Sequence, residues 1–473
     1  MGQIERTRTG IPGLDSNLEG GFPRGSMVMV AGNPGTGKTM LCGEFLHHGA
    51  SEEDENGLYV SFSEGRETFL TNMDRFGLDF EPLMGRGKVE ILDLVSSKEP
   101  GVDAIMEMVT ERIEENRVRR LVIDSFSAVA HALPSPVDER VVLHLLSKIV
   151  RTTECTTILV TEVPTGQKAL GTGIEEFIVD GIIVMRRRLM DGCVLRELET
   201  AKMRGTVIGE PRQIFSLHGG FTVFEPFREA PIKQSRPFRS QPNAEGSFST
   251  GSPATDEMLG GYGRGETIYV ELGQELPLGA PRLLLGPLLA NFVSQGMGVL
   301  QIPTCGQDTE CITDWMAEYG LEEDAVRRLL RVAEISGNPE SDAVLRLDPD
   351  DVKISHRIWN EEKQRLALAT GRPVLKLINI DKAGVHWPLE PTRRVLEAEA
   401  KLTRNEGGLL VLVSTPGDGG LRRDAINMSS VHLRLSLEQG VVLLHGVRPR
   451  TPLYAMEPTG EDGYPSARLT QMN

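Results

Sequence analysis

Gly32-Asn33-Pro34-Gly35-Thr36-Gly37-Lys38-Thr39 decides how the rest of the chain is read. It meets every fixed position of the pattern G-x-x-x-x-G-K-[ST], the glycine loop that holds the phosphates of a nucleoside triphosphate. Its neighbours agree. Met27-Val-Met-Val-Ala31 is a short apolar run of β type, and Met40, Leu41, Phe45 and Leu46 fall at helical spacing. Strand, glycine loop and helix in that order turn a pattern into a candidate site. The glycines let backbone N–H groups turn inward with no Cβ in the way, and the helix N-terminus adds partial positive charge. The expected nucleotide contacts are Gly32, Asn33, Pro34, Gly35, Thr36, Gly37, Lys38, Thr39 and Met40. In this reading Lys38 reaches the β- and γ-phosphates of a nucleoside triphosphate, and the Thr39 hydroxyl holds Mg2+. The competing reading is a glycine turn that happens to carry a lysine; it leaves the flanking strand and helix unexplained.

Outward from the loop, apolar β-type runs at 27–31, 58–62, 89–94, 120–124, 156–161 and 181–187 alternate with helical patterns near 38–49, 66–76, 101–116 and 138–153. Such alternation predicts an α/β fold, a mostly parallel sheet flanked by helices. Segments 193–200 and 213–217 read as an antiparallel addition at its edge. Arg120-Leu-Val-Ile-Asp124 is an apolar strand ending in a carboxylate, the pattern that supplies the Mg2+-side Asp of a nucleotide site. Leu58-Tyr-Val-Ser-Phe62 runs into Ser63-Glu64, which puts a carboxylate at the sheet's C-terminal edge, where ligands of open α/β sheets sit. Glu64 is therefore the candidate base for the attacking water, against the plainer reading of a solvated loop glutamate. Thr161 and Glu162, at the end of another strand, are candidate γ-phosphate sensors by the same edge argument.

From Glu225 to Gly246 the periodicity stops in a stretch rich in Pro, Arg and Ser, which reads as an extended linker. Then the chain begins again. Thr9-Gly-Ile-Pro-Gly-Leu-Asp15, Leu18-Glu-Gly-Gly21 and Arg24-Gly25 are echoed by Thr250-Gly-Ser-Pro-Ala-Thr-Asp256, Leu259-Gly-Gly261 and Arg264-Gly265. Order and spacing are kept, so one domain is duplicated. The expected division is 1–225, an active domain; 226–246, the linker; and 247–473, a degenerate copy. The copy has Gly279-Ala280-Pro281 where the first has Gly37-Lys38-Thr39, so its charge, hydroxyl and an N–H are gone.

The 473 residues exceed one ordinary core, and 39% hydrophobic with 25% charged residues is a globular balance. A net charge of −16 argues against a general nucleic-acid coating surface. The five cysteines are scattered with no C-x-x-C pair, which fits a reducing cytosol and offers no zinc site. The first residues are polar, and no apolar run approaches the ~18 residues of a membrane span, so a cytoplasmic protein is expected.

Together, the Thr9–Asp15 opening, the glycine loop, Val60-Ser-Phe-Ser-Glu64, Asp124-Ser125 and Ala201-Lys202-Met-Arg204-Gly205-Thr206 resemble the KaiC-like branch of the RecA superfamily. The resemblance runs through residues 5–225 and more faintly through 247–455. It implies two tandem RecA-like domains in a homo-oligomeric ring, usually of six subunits, with ATP bound between neighbours. It also implies that Lys202 and Arg204 reach the γ-phosphate held by the adjacent subunit, cations supplied in trans to offset charge on the transferring group. Without it, they read equally well as charges guarding an edge strand. KaiC proper carries two adjacent glutamates where this chain has Ser63-Glu64. In the copy, Cys305 stands for Glu64, Asp381 for Asp124, and Arg448-Pro-Arg450 for Lys202-Met-Arg204. The clock kinase's autophosphorylation is therefore not carried over. The function expected is slow Mg-dependent ATP hydrolysis in regulation through an unidentified protein partner. The alternatives are a DNA-recombination accessory ATPase and an ATP-binding switch without hydrolysis. The basic clusters Arg186-Arg-Arg188 and Arg117-Val-Arg119-Arg120 read as strand-end charges in preference to a nucleic-acid channel. Residues 336–372 read as a surface insertion.

Overall fold

The computed structural model describes residues 4–94, 102–133, 135–164, 175–304, 306–335, 343–417 and 420–472. The chain divides into two compact units, one of residues up to Glu225 together with Met472 and the other Pro226–Gln471.

In the first unit the apolar run before the glycine loop is β1 (Met27–Gly32), buried at every residue, and it leads into α1 (Lys38–Glu52). The alternation continues with β2 (Asn56–Ser61), α2 (Arg66–Asp74), β3 (Val89–Asp93), α3 (Val102–Glu115), β4 (Val118–Asp124), α4 (Pro136–Thr153) and β5 (Thr156–Glu162). It closes with β6 (Gly181–Met190), β7 (Cys193–Met203), β8 (Arg212–Ser216) and β9 (Thr222–Val223). Among the described residues these strands form one sheet in the order β9-β8-β7-β6-β1-β5-β4-β2-β3. Pairings from β3 to β6 are parallel, and those from β6 to β9 antiparallel, as expected for the edge addition. Val28 and Val30 pack with Leu41 and Phe45 of α1 on one face. Met27 and Met29 pack with Leu143, Leu146 and Val150 of α4 on the other. A strand covered on both faces has no polar side, which is why β1 reads as a continuous apolar run.

The second unit repeats the plan. Its elements are β10 (Thr267–Leu272), α5 (Gly279–Ser294), β11 (Val299–Ile302), β12 (Leu330–Glu334), β13 (Val344–Arg346), α6 (Val352–Thr370) and β14 (Leu375–Asn379). They continue with α7 (Leu389–Glu406), β15 (Leu409–Ser414), α8 (Gly420–Met428), β16 (Val431–Glu438), β17 (Val441–Arg448), β18 (Tyr454–Thr459) and β19 (Ser466–Gln471). The sheet order is β13-β12-β11-β14-β15-β10-β16-β17-β18-β19 among the described residues, parallel up to β16 and antiparallel beyond. Both units are RecA-like α/β domains.

The duplication extends to hydrogen bonds. The Thr9 N–H and hydroxyl each donate to Asp15 Oδ1 at 2.8 Å, and the Thr250 N–H donates to Asp256 Oδ1 at 2.7 Å. Gly21 and Gly261 both have positive φ, and a Cβ on either would stand 2.3 Å from Thr7 O or 2.7 Å from Phe248 O. The repeated glycines mark two places where the backbone passes too close for any side chain.

The stretch 226–246, read as an extended linker, has almost no regular structure, and its backbone is bonded within the second unit. Phe227 N donates to Gly440 O at 2.7 Å, Arg236 N to Gly463 O at 3.0 Å, and Phe238 N to Tyr319 O at 2.9 Å, while the Phe238 ring joins the second unit's core. Backbone donors that a loose segment would leave to water are bonded within the unit. One expectation is corrected: 343–372 is not a surface insertion, for α6 buries Trp359 and Leu366 in a core face of the second sheet. Residues 336–342 lie outside the described residues.

Candidate functional site

The glycine loop joins the C-terminal end of β1 to the N-terminus of α1, at the centre of the first sheet. Gly35 and Gly37 have φ of 75° and 102°, the left-handed region where a Cβ is costly. A Cβ on Gly32 would stand 2.5 Å from Met185 O, so the first glycine lets β6 pass. Asn33 Nδ2 donates to Val163 O at 2.8 Å and the Thr36 hydroxyl to Asn33 O at 2.9 Å, which pins the loop to its own turn and to the end of β5. The Lys38 ammonium lies within the loop and donates to Gly32 O at 2.9 Å and Asn33 O at 3.1 Å. An ammonium has three donors, so one is left for a phosphate oxygen. Burial lowers the Lys38 pKa, while the Glu162 and Asp124 carboxylates oppose that shift. This cradle fits a nucleoside triphosphate.

Asp124 ends β4, 4% exposed, beside the start of α1. Its Oδ2 accepts from the Thr39 hydroxyl at 2.9 Å and from the Tyr59 hydroxyl at 2.8 Å. The motif-assigned pair, Thr39 and Asp124, therefore meets across 85 residues and can flank a Mg2+ ion. Tyr59 was missed in the sequence; a phenol inside an otherwise apolar strand was the available signal. Burial and the Asp124 charge push its pKa well above the ordinary phenol value, so it is a hydrogen-bond donor that fixes the carboxylate's angle.

Glu64 follows β2 and is half-buried. Ser61 holds its backbone: the Ser61 hydroxyl donates to Glu64 O at 2.6 Å. The carboxylate accepts from Asn72 Nδ2 of α2 at 3.2 Å through Oε2, whereas Oε1 is buried with no hydrogen-bond partner among the described residues. Burial raises the Glu64 pKa and the Asp124 charge adds to it, while the Asn72 bond holds it down. One oxygen is tied and the other is buried without a partner, which leaves the second with unused acceptor capacity for a general base. Thr161 Oγ1, level with Ala31 on β5, is likewise buried without a partner among the described residues. Glu162 is exposed, and its N–H is held by Ser127 Oγ at 2.9 Å.

Lys202 and Arg204 stand elsewhere. Lys202 pairs with Ile182, which is level with Met29, and Arg204 N bonds Asp180 O just before β6. They therefore lie toward the N-terminal edge of β1, whereas the loop is at its C-terminal edge. The Lys202 ammonium donates to Glu176 O at 2.8 Å and Val179 O at 2.7 Å, and Arg204 donates to Phe177 O at 3.2 Å and Asp180 at 3.3 Å. Burial and then the Arg204 charge lower the Lys202 pKa.

Among the described residues, the second unit's loop from Gly273 to Gly279 lacks those features. Neither Gly273 nor Gly279 is left-handed, and a Cβ on Gly279 would stand 2.1 Å from Glu229 Oε1, so a carboxylate already lies against the first residue of α5. At the end of β10, where the first unit has Ala31, buried Glu271 binds Arg422 at 2.7 Å, His432 at 3.1 Å and Arg434 at 3.3 Å. Burial alone would raise its carboxyl, but the His432 and Arg422 hydrogen bonds and the Arg434 charge bring it to about 2. The expected equivalence of Asp381 and Asp124 is corrected. Through β5 the ladder places Leu121 level with Met27, and through β15 it places Lys376 level with Thr267, so Asn379 takes Asp124's place. Asp381 is the second residue of the next helix, Ile380–His386, and accepts from Thr415 N at 2.6 Å. Cys305 lies outside the described residues. Arg448 does match Lys202: it pairs with His432 as Lys202 does with Ile182, and it donates to Ser429 O as Lys202 does to Val179 O.

The basic clusters are mostly structural. Arg120 is 1% exposed and bonds Glu55, Arg8 O and Phe45 O, each at 2.7 Å. Arg186 and Arg188 pair with Glu199 and Glu197. No helix among the described residues is long and apolar enough to cross a membrane, and none of those residues form a metal cluster of three or more His, Cys, Asp or Glu.

A phosphate loop between the central strand and its helix, in a RecA-like sheet, defines a P-loop ATPase. Residues 7–226 match the family model described as ATPase: KaiC. The chain is 32% identical over 228 residues to a UPF0273 protein of Thermotoga maritima, covering 45% of this chain and 93% of that one. It is 30% identical over 305 residues to the circadian clock oscillator protein KaiC of a Picosynechococcus species, covering 62% of this chain and 56% of that one. The chain thus spans just over half the length of that clock protein. A crystal structure of a KaiC-like protein of Pyrococcus horikoshii is 34% identical, with a TM-score of 0.43, covering 47% of this chain and all of that one. The chain belongs to the KaiC-like family of P-loop ATPases.

Proposed function

We propose that the first unit binds ATP with Mg2+ and hydrolyses it slowly within a homo-oligomeric ring, six subunits by resemblance. The state of the nucleotide then presents a surface to a protein partner in regulation or signalling. Lys38 and the loop N–H groups hold the phosphates, Thr39 and Asp124 hold the metal, and Glu64 orients the attacking water. Bound Mg2+ neutralises charge on the phosphate oxygens. The carrying observation is the split between two sheet edges. Lys38, Thr39, Asp124 and Glu64 gather at one edge, while Lys202 and Arg204 lie toward the other, available to a neighbour's phosphates. The second unit, with Glu229 against the first residue of α5 and Ala280 and Pro281 in place of Lys38 and Thr39, is a non-hydrolysing platform.

Phosphate release from Mg-ATP by the full chain, with Lys38→Ala and Glu64→Gln in parallel, tests this reading. Slow turnover abolished by Lys38→Ala and lowered about a hundredfold by Glu64→Gln supports it. Unchanged turnover in Glu64→Gln refutes the base assignment, and strong stimulation by single-stranded DNA refutes the protein-partner role.

A further inference from the structure

Arg186, Arg187 and Arg188 follow Met185, the last β6 residue paired with β1. Strand alternation puts Arg186 and Arg188 on one face, where they bind Glu199 and Glu197 of β7. Arg187 is on the other face, with Ile183 and Met185, which pack in the core that includes α1. There its Nη1 stands 3.5 Å from the place a Cβ of Gly35 would occupy. Among the described residues no carboxylate pairs with Arg187. The ladder instead sets Arg196 directly opposite it, and the Arg187 charge adds to burial in lowering the Arg196 pKa. Like charges opposed across a ladder are unfavourable. An anion beside them offsets that repulsion.

We propose that Arg187 is a phosphate-contact residue acting in cis, its guanidinium binding the nucleotide held by the same chain's glycine loop. The proposal rests on the nucleotide reading of that loop. The loop's N–H groups cradle the α- and β-phosphates, so a guanidinium over Gly35 serves ATP and ADP alike. In this it differs from Lys202 and Arg204, which lie toward the far edge and are expected to act on a neighbour's γ-phosphate.

Equilibrium binding of fluorescent ATP and ADP analogues to the full-length protein tests the assignment, with Arg187→Ala, Arg187→Lys and Lys38→Ala compared at low and moderate salt. Arg187→Ala is expected to weaken both nucleotides about tenfold and to flatten the salt dependence, with Arg187→Lys recovering part of the loss. Arg187 is exposed, so its truncation leaves the core intact, and a thermal melt matching the parent's documents this. If Lys38→Ala weakens binding while Arg187→Ala stays within about twofold of the parent for both nucleotides, the proposal is overturned. A loss confined to ATP overturns it too. If Lys38→Ala binds like the parent, the loop reading itself fails, and Arg187's role goes with it.

Discussion

Mixing two inactive variants should restore activity that neither has alone. Lys202 is three residues and Arg204 about five residues short of the loop along the strand direction, roughly 10 and 16 Å at 3.3 Å per residue. Both side chains are bonded to the carbonyls of 176–179 or to Asp180 instead of extending toward the loop. A cation so placed can serve a nucleotide held by an adjacent copy. Lys38→Ala removes the cis half of a composite site and Arg204→Ala the trans half. In a ring assembled at random from equal amounts of the two, a working site needs an intact loop beside an intact arginine. Each condition is met half the time, so about a quarter of the sites recover, whatever the ring size. The assay is steady-state phosphate release after the variants are mixed under conditions that allow subunit exchange, with labelled subunits to confirm the exchange. A mixture as silent as its components, with exchange documented, refutes the trans assignment. So does full turnover by Arg204→Ala alone.

The other predictions concern single groups. Because Glu64 must be ionised to act and burial raises its carboxyl above 4.5, turnover is expected to fall as pH drops through a point above that value. Asn72→Ala removes the bond that stabilises the ionised form, so the acid limb of the pH–rate profile should move higher still; an unmoved limb would refute Asn72's positioning role. Tyr59→Phe leaves Asp124 Oδ2 with Thr39 as its hydroxyl donor. It should cost about 1 kcal/mol of stability and raise the Mg2+ concentration needed for half-maximal turnover, as a metal titration would read. Glu271→Ala leaves Arg422, Arg434 and His432 facing one another without their shared carboxylate and should cost the second unit about 3–5 kcal/mol in chemical denaturation. In the parent that carboxyl is held below its ordinary value. Its contribution should therefore be complete above about 4.5 and disappear as pH falls toward about 2.

The phosphate loop, the strand ending in Asp124 and the repeat around Thr9–Asp15 were legible because each depends on neighbours in sequence. Left-handed turns select glycine within a few residues, doubly covered strands select unbroken apolar runs, and a helix start follows its loop directly. Glu64 was proposed by the same logic, as a carboxylate at a strand end. Its Asn72 partner was not, since nothing in Arg66–Asp74 sets that asparagine apart as a list of letters. The segment 226–246 was legible only as an extended chain from its prolines; which carbonyls it meets, here Gly440, Gly463 and Tyr319, was not.

By itself, the sequence determined the chemistry available: one complete phosphate loop, one altered copy, one Asp and one Glu at strand ends, and a Lys-x-Arg pair. The tertiary structure decided which of these meet. In a parallel sheet the strand order departs from chain order, so β1 lies between β5 and β6, and Asp124 reaches Thr39 and Tyr59 across 85 and 65 residues. The same crossovers carry Arg187 over Gly35 and leave Lys202 and Arg204 toward the opposite edge. They also hand Asp124's place in the second unit to Asn379. Those outcomes turn on ladder register, set by side chains packing between strands far apart in sequence, and no local pattern encodes it.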